Sequence, residues 1–128
     1  MARPDTDPLV GEWRRLLDRH ATTWCALERA LQERHGLGAS EFEVLERLVE
    51  GGKDQYRVQE VARSVYLSQS ALSRLIARLE RDGLVCRAMC DDDRRGIWVH
   101  LTDAGRRRYA EARPTQREVL AASLGAGG

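Results

Sequence analysis

The chain has 128 residues, 42% hydrophobic and 32% charged, which is enough for one compact core and too few for two ordinary domains. Twenty-one Lys and Arg against 20 Asp and Glu leave a formal charge of +1, so there is no bulk attraction to nucleic acid and any electrostatic function must come from how charge is distributed. No apolar run approaches the roughly 18 residues of a membrane span, and residues 1–8 lack the apolar stretch of a secretory signal; the expected location is the cytoplasm, with no membrane contact.

Three cysteines, Cys25, Cys86 and Cys90, form no paired framework, which fits free thiols in a reducing compartment. Of these, Cys86 is expected to pack inward and Cys90 to lie in a turn. Charge is uneven along the chain: residues 1–56 hold 8 basic and 11 acidic side chains, residues 57–108 hold 11 and 7, and the remainder balance at two each. A basic middle between acidic and neutral flanks is the footprint of a central module that meets phosphate.

Residues 1–8 read as a disordered arm. A long first helix over 9–35 follows, with Trp13, Leu16, Leu17, His20, Trp24, Leu27 and Leu31 on one apolar stripe. Gly36 and Gly38 stop it. Ser40 and Glu43 have capping-box spacing, which predicts a second helix over 41–50 that buries Phe42, Val44, Leu45 and Leu48 and ends at Gly51-Gly52. Val58 to Tyr66 reads as a short helix. Ser68 is the expected N-cap of a helix over 69–82 with Leu72, Leu75, Ile76 and Leu79 inward, and Gly83 stops it. Residues 84–89 and 96–101 are β-prone runs around the polar turn 90–95, a hairpin. Thr102 caps a last helix to about Leu124, with Pro114 expected to kink or break it.

Helix, turn, helix and hairpin over 41–101 make a winged helix-turn-helix lobe, so the fold class is mostly α with a small β-hairpin wing. On helix 69–82, Ser70, Ser73, Arg74, Ala77 and Arg81 cluster opposite the apolar stripe. Small residues let a backbone approach DNA, and hydroxyls and guanidinium groups reach base edges in a major groove. A solvated helix face is the alternative reading. Arg94 and Arg95 sit at the hairpin tip, where an arginine suits a narrow minor groove. The three aspartates beside them would repel DNA unless oriented, and Asp93 is expected to brace the wing against Arg78 or Arg74.

The run Leu67-Ser-Gln-Ser-Ala-Leu-Ser-Arg-Leu-Ile-Ala-Arg-Leu-Glu-Arg-Asp-Gly-Leu-Val85, joined to Asp93-Arg-Arg-Gly-Ile-Trp-Val-His-Leu-Thr-Asp-Ala-Gly105, resembles the MarR family of bacterial transcription regulators. Asp93, Arg94, Arg95, Leu101, Thr102 and Gly105 match the family's wing pattern, and the resemblance covers about residues 9–124. It implies a homodimer built from the N- and C-terminal helices (9–35 and 102–124), reading a palindromic DNA operator as a repressor. By position it makes Ser68, Gln69, Ser70, Ser73 and Arg74 base or phosphate contacts and Arg95 a minor-groove contact. Arg78 and Arg81 are placed on the DNA backbone or against the wing, and Arg106 and Arg107 are either further phosphate contacts or a solvated face. Family members commonly carry a further C-terminal helix in the dimer interface, and this chain stops at Gly128 without it. The dimer would then rest on Trp13, Trp24 and the leucines of the first helix with Val119, Leu120 and Leu124.

The resemblance also implies release from DNA by a small, often aromatic effector of unknown identity. Trp13, His20 and Trp24 are candidates to line its pocket, with core or interface packing as the other reading. Redox sensing through Cys25 is an alternative regulation, and a winged-helix protein-interaction module without DNA binding is the rival function. His20, His35 and His100 are scattered, so no metal site is expected. Neither a phosphate loop nor a nucleophile with a spaced base is present, so neither catalysis nor a cofactor is expected.

Overall fold

The computed structural model describes residues 7–90 and 93–125, apart from the side chains of residues 89, 90 and 93–96. Helix α1, Pro8–His35, starts at a proline whose missing N–H would be unpaired there in any case, and Asp7 accepts from the Leu9 amide at 2.9 Å. The helix thus begins inside the stretch expected as an arm. It ends at Gly36, φ 64°, with the Leu37 amide donating back to Leu31 at 3.3 Å while Leu37 itself is buried. That is the left-handed cap a glycine permits.

Helix α2, Ala39–Glu50, begins two residues earlier than the Ser40–Glu43 box predicts. Gly38 takes the N-cap position, its amide donating to Glu41 at 2.6 Å, and Glu28 of α1 accepts from the Ala39 amide at 2.8 Å. Two carboxylates at the positive end of the helix outcompete one serine hydroxyl. Ser40 therefore lies inside the first turn.

A two-residue strand that periodicity cannot signal, β1, Tyr56–Arg57, precedes α3, Val58–Val65, and α4, Gln69–Arg81. Ser68 accepts from the Ala71 amide at 3.1 Å as the α4 cap. Strands β2, Val85–Cys90, and β3, Asp93–Leu101, form the hairpin, and β1 adds on the other side of β3, giving the antiparallel order β1-β3-β2. Because β3 begins at Asp93 and pairs it with Cys90, Arg94 and Arg95 belong to strand backbone and not to the turn expected over 90–95.

Thr102 caps α5, Asp103–Leu120, by accepting from Gly105 at 3.0 Å. This helix continues through Pro114 and closes in a wide π-type turn over Ala121–Gly125. Ala110 and Pro114 are both exposed, so the carbonyl that the proline leaves without a donor faces solvent and the helix survives.

One core joins all of these elements. Leu27 and Leu31 of α1 meet Phe42, Leu45 and Leu48 of α2, Leu72, Leu75, Ile76 and Leu79 of α4, Val99 of β3 and Tyr109 of α5. Each such side chain contributes about 1.5–3 kcal/mol relative to exposure. The α1 stripe divides, however: Leu27 and Leu31 are buried, whereas Trp13, Leu16 and Leu17 are 58%, 57% and 47% exposed. The N-terminal half of α1 thus leaves the core with its apolar face open.

Candidate nucleic-acid interface and adjoining cavity

Burial of Leu72, Leu75, Ile76 and Leu79 fixes the rotation of α4 and turns the opposite face outward. Gln69, Ser70, Ser73, Arg74, Arg78 and Arg81 are all exposed, as is Ser68 at the cap. Thirteen residues give this face a length of about 20 Å, and the short side chains of its serines leave the backbone accessible. The Ser68 oxygen is committed to the Ala71 amide and lies 3.5 Å from the Ser70 hydroxyl. Its role is therefore first structural.

Two contacts that the sequence reading missed hold this helix in place. On one flank, Arg78 Nε lies 3.8 Å from Glu41, the carboxylate that also caps α2. On the other, the Glu80 carboxylate accepts from Arg87 twice, from the guanidinium Nε at 2.9 Å and from the backbone amide at 3.2 Å. Both Arg87 bonds hold the Glu80 carboxyl below the ordinary value, the backbone bond first. A single carboxylate on α4 thus fixes the first wing strand. The expected brace through Asp93, and the side chains of Arg94 and Arg95, lie outside the described residues.

The wing's base is equally fixed. Thr102 Oγ1 donates to the Gly83 carbonyl at 2.7 Å, and the Thr102 amide donates to Leu84 at 3.1 Å. Gly105 packs against this junction so closely that a Cβ there would fall 2.2 Å from the Leu84 carbonyl oxygen. The Leu101, Thr102 and Gly105 pattern is thus the chemistry by which the hairpin is rooted between α4 and α5. Arg106 and Arg107 are exposed at the start of α5.

Cys86, expected to pack inward, is exposed on β2 opposite exposed His100, and Cys25 is exposed on α1. In this register Val85 and Leu101 take the buried positions, which leaves Cys86 on the other face of the strand. Cys90 lies among the residues whose side chains are not described.

Beside the α3–α4 turn, a cavity of about 320 Å³ is lined by His20 and Trp24 of α1, Ser40, Glu43 and Arg47 of α2, and Ser64, Val65, Tyr66 and Leu67. His20 and Trp24 stack at 6.0 Å between centroids, 14° from parallel. Trp13, the third residue named for this pocket, is not on its wall: eleven positions along α1 separate it from Trp24 by about 16 Å. Tyr66 is a wall residue that neither periodicity nor motif spacing marks. It ends α3 in the left-handed region, φ 59°, the only non-glycine to do so among the described residues, and its ring is 92% exposed. Burial, followed by the charge of Glu46, raises the Glu43 carboxyl above its ordinary value, with Arg47 opposing.

Farther along α2, Glu46 accepts from the Tyr109 hydroxyl at 2.8 Å and from Arg117, both on α5. His35 meets Thr115 at 2.7 Å, and Arg108 donates to the His35 carbonyl at 3.2 Å. These polar bonds lock α1 and α2 onto α5 below the cavity. Among the described residues no group of three or more His, Cys, Asp or Glu is placed to hold a metal ion, and no helix is long and apolar enough to cross a membrane.

Comparison with known proteins agrees with this arrangement. A model of the MarR family matches residues 35–96. The structure of AbsC, a MarR family transcriptional regulator of Streptomyces coelicolor, is 31% identical with a TM-score of 0.84, over 96% of this chain and 82% of AbsC. Sco3205, a MarR family regulator of the same organism solved in complex with DNA, is 27% identical with a TM-score of 0.86, over 97% of this chain and 78% of that one. The HTH-type transcriptional regulator YkoM of Bacillus subtilis is 34% identical over 71 residues, which span 56% of this chain and 45% of YkoM.

Proposed function

From the premise that the chain belongs to the MarR family of transcriptional regulators, we propose that it is a repressor that binds a palindromic DNA operator as a homodimer and is released by a small aromatic effector. The observation that carries this reading is the outward face of α4. Hydroxyl, amide and guanidinium groups line its full length, and Glu80 ties it to the wing through Arg87. Arg74 and Ser70 are the candidates for base edges, Gln69 and Arg81 for phosphates, and Arg95 for the flanking minor groove. A solved DNA complex of Sco3205 supports carrying this geometry over.

The exposed half of α1 supplies the dimer contact in this account. Leu9, Trp13, Leu16 and Leu17 present an open apolar face, and Leu124, 44% exposed, lies at the end of the chain segment that Arg19 of α1 reaches. Val119 and Leu120, also named for this surface, pack in part on the protomer's own core. Two copies joined through α1 place two α4 helices on one side of a duplex, and a palindrome with half-sites about 34–36 Å apart would match them.

Release follows from where the cavity lies. Its wall includes the α3–α4 turn, and Tyr66 is two positions before the Ser68 cap. A ligand filling the cavity bears on that turn and so on the position of α4 relative to α1, which biases the spacing of the two reading helices. The test is a gel shift with DNA upstream of the protein's own gene, followed by footprinting. Two protected half-sites one helical turn apart are expected, whereas binding without sequence preference would refute the operator reading, and no DNA binding even at low salt would favour a protein-interaction module.

A further inference from the structure

We propose that the cavity takes a flat aromatic compound carrying a protonated amine, its ring against the Trp24–His20 stack and its ammonium on the Glu43 carboxylate. This rests on reading the cavity as the effector site and adds the chemical class of its occupant. The argument starts from charge. Arg47 is the arginine on the wall, and it already faces two carboxylates, Glu50 at 3.5 Å and Glu43 at 4.0 Å. Glu50 takes its hydrogen bond, while Glu43 receives no hydrogen bond among the described residues. Its side chain is nonetheless only 30% exposed. A carboxylate ligand would meet one shared cation and surplus negative charge. An ammonium would instead complete the site, giving Glu43 the close donor it lacks.

The remaining wall suits such a molecule. The Trp24 face attracts cations as well as aromatic rings. Ser40 and Ser64 offer hydroxyl acceptors to further N–H groups, and about 320 Å³ holds a two-ring compound. Burial and the neighbouring Glu46 and Glu50 also push the Glu43 carboxyl up, a cost that a bound cation relieves.

Isothermal titration calorimetry of the full chain with three naphthalene probes tests this: 2-naphthylmethylamine, 2-naphthylmethanol and 2-naphthoate. The expected order is amine tightest, at least about tenfold over the acid, or about 1.4 kcal/mol. Glu43→Gln should erase that preference and leave the alcohol's affinity unchanged. Glu43→Asp, which keeps the charge, should retain part of it, and serves if the glutamine variant melts early. Acid binding as tight as amine, or an amine preference that survives Glu43→Gln, overturns the assigned charge class while alcohol binding leaves the effector site standing. If none of the three binds at millimolar concentration, both readings fall.

Discussion

Replacing Gly105 with alanine is the sharpest test of how the wing is rooted. The added methyl would fall 2.2 Å from the Leu84 carbonyl oxygen and 2.7 Å from Leu101 Cδ1. The leucine tip has room to rotate, but the carbonyl does not, because Leu84 is held at both ends. Its oxygen accepts from Thr102 at 3.1 Å and its amide donates to Leu79 at 2.9 Å. Restoring ordinary contact moves backbone by about 1 Å. Overpacking of this kind costs about 1–3 kcal/mol, and straining the Thr102 bond adds about 1 kcal/mol, giving roughly 2–4 kcal/mol. With about 2.1 cal/mol/K per residue of unfolding entropy, 128 residues translate this into a Tm lower by about 7–15 °C. Thermal melts followed by circular dichroism at fixed protein concentration provide the assay. Gly11→Ala is the control, since a Cβ there meets only the Arg15 guanidinium at 3.6 Å and a helix gains about 0.5–1 kcal/mol from the exchange. A Gly105→Ala variant that melts within 3 °C of wild type, by estimate well under the ~7 °C minimum, would refute the account of this junction.

Three further outcomes are expected. Glu80→Gln should loosen the wing strand and weaken DNA binding without unfolding the helices. Because the Glu80 carboxyl is held below its ordinary value, the anchor is complete above the ordinary Glu range, about 4.3, and is lost as pH falls through the lower folded value. Protection of the Arg87 amide against hydrogen exchange, taken relative to the intrinsic exchange rate at each pH, should then fall in acid, and unchanged protection would remove the anchor. Leu16→Glu with Leu17→Glu should give a monomer in sedimentation velocity with α4 and the core intact; an unaltered dimer would move the interface off α1. Tyr66→Gly should raise the Tm, since it relieves about 1 kcal/mol of left-handed strain at a ring that is 92% exposed; a lower Tm would show that the ring is packed.

Helix α4 was legible because several local signals agree there: the Ser68 cap, the Leu72, Leu75, Ile76 and Leu79 stripe, and Gly83 at φ 76°. Agreement of that kind is what makes a segment specify itself. At α2 the local signal misled by two residues, since Glu28, eleven positions away in α1, satisfies Ala39 and draws the helix start forward. Strand β1 carries too few residues for a period, and exists because Tyr56 and Arg57 pair with Val99 and Trp98.

The α1 stripe was legible as apolar but not as divided. Only the position of α2 and α5 decides that Leu27 and Leu31 are covered and Leu16 and Leu17 are not. The same holds for Cys86, whose face is set by register with His100. Of the site, the pattern Leu101, Thr102 and Gly105 was visible as a resemblance, whereas its reason, the approach of Gly105 to Leu84, is purely tertiary. Glu80 and Arg87 face each other across the Gly83 turn, a pairing that helix spacing rules do not cover. Tyr66 stood out in neither composition nor periodicity, because its left-handed backbone and its place on the cavity are properties of the turn.

Fluorescence anisotropy across a salt series tests whether α4 and the wing read DNA. Labelled DNA from upstream of the gene is titrated with wild type, Arg74→Ala and Arg95→Ala, with a shuffled duplex as reference. Log affinity should fall linearly with log salt, and each lost phosphate contact should reduce the slope by about 0.9. Arg74→Ala should cost specific binding about 1–3 kcal/mol, or about 5- to 150-fold, if it reads a base edge. Arg95→Ala should weaken binding mainly through the A·T-rich flank. Specific binding with unchanged affinity and unchanged salt slope in both variants would contradict the account.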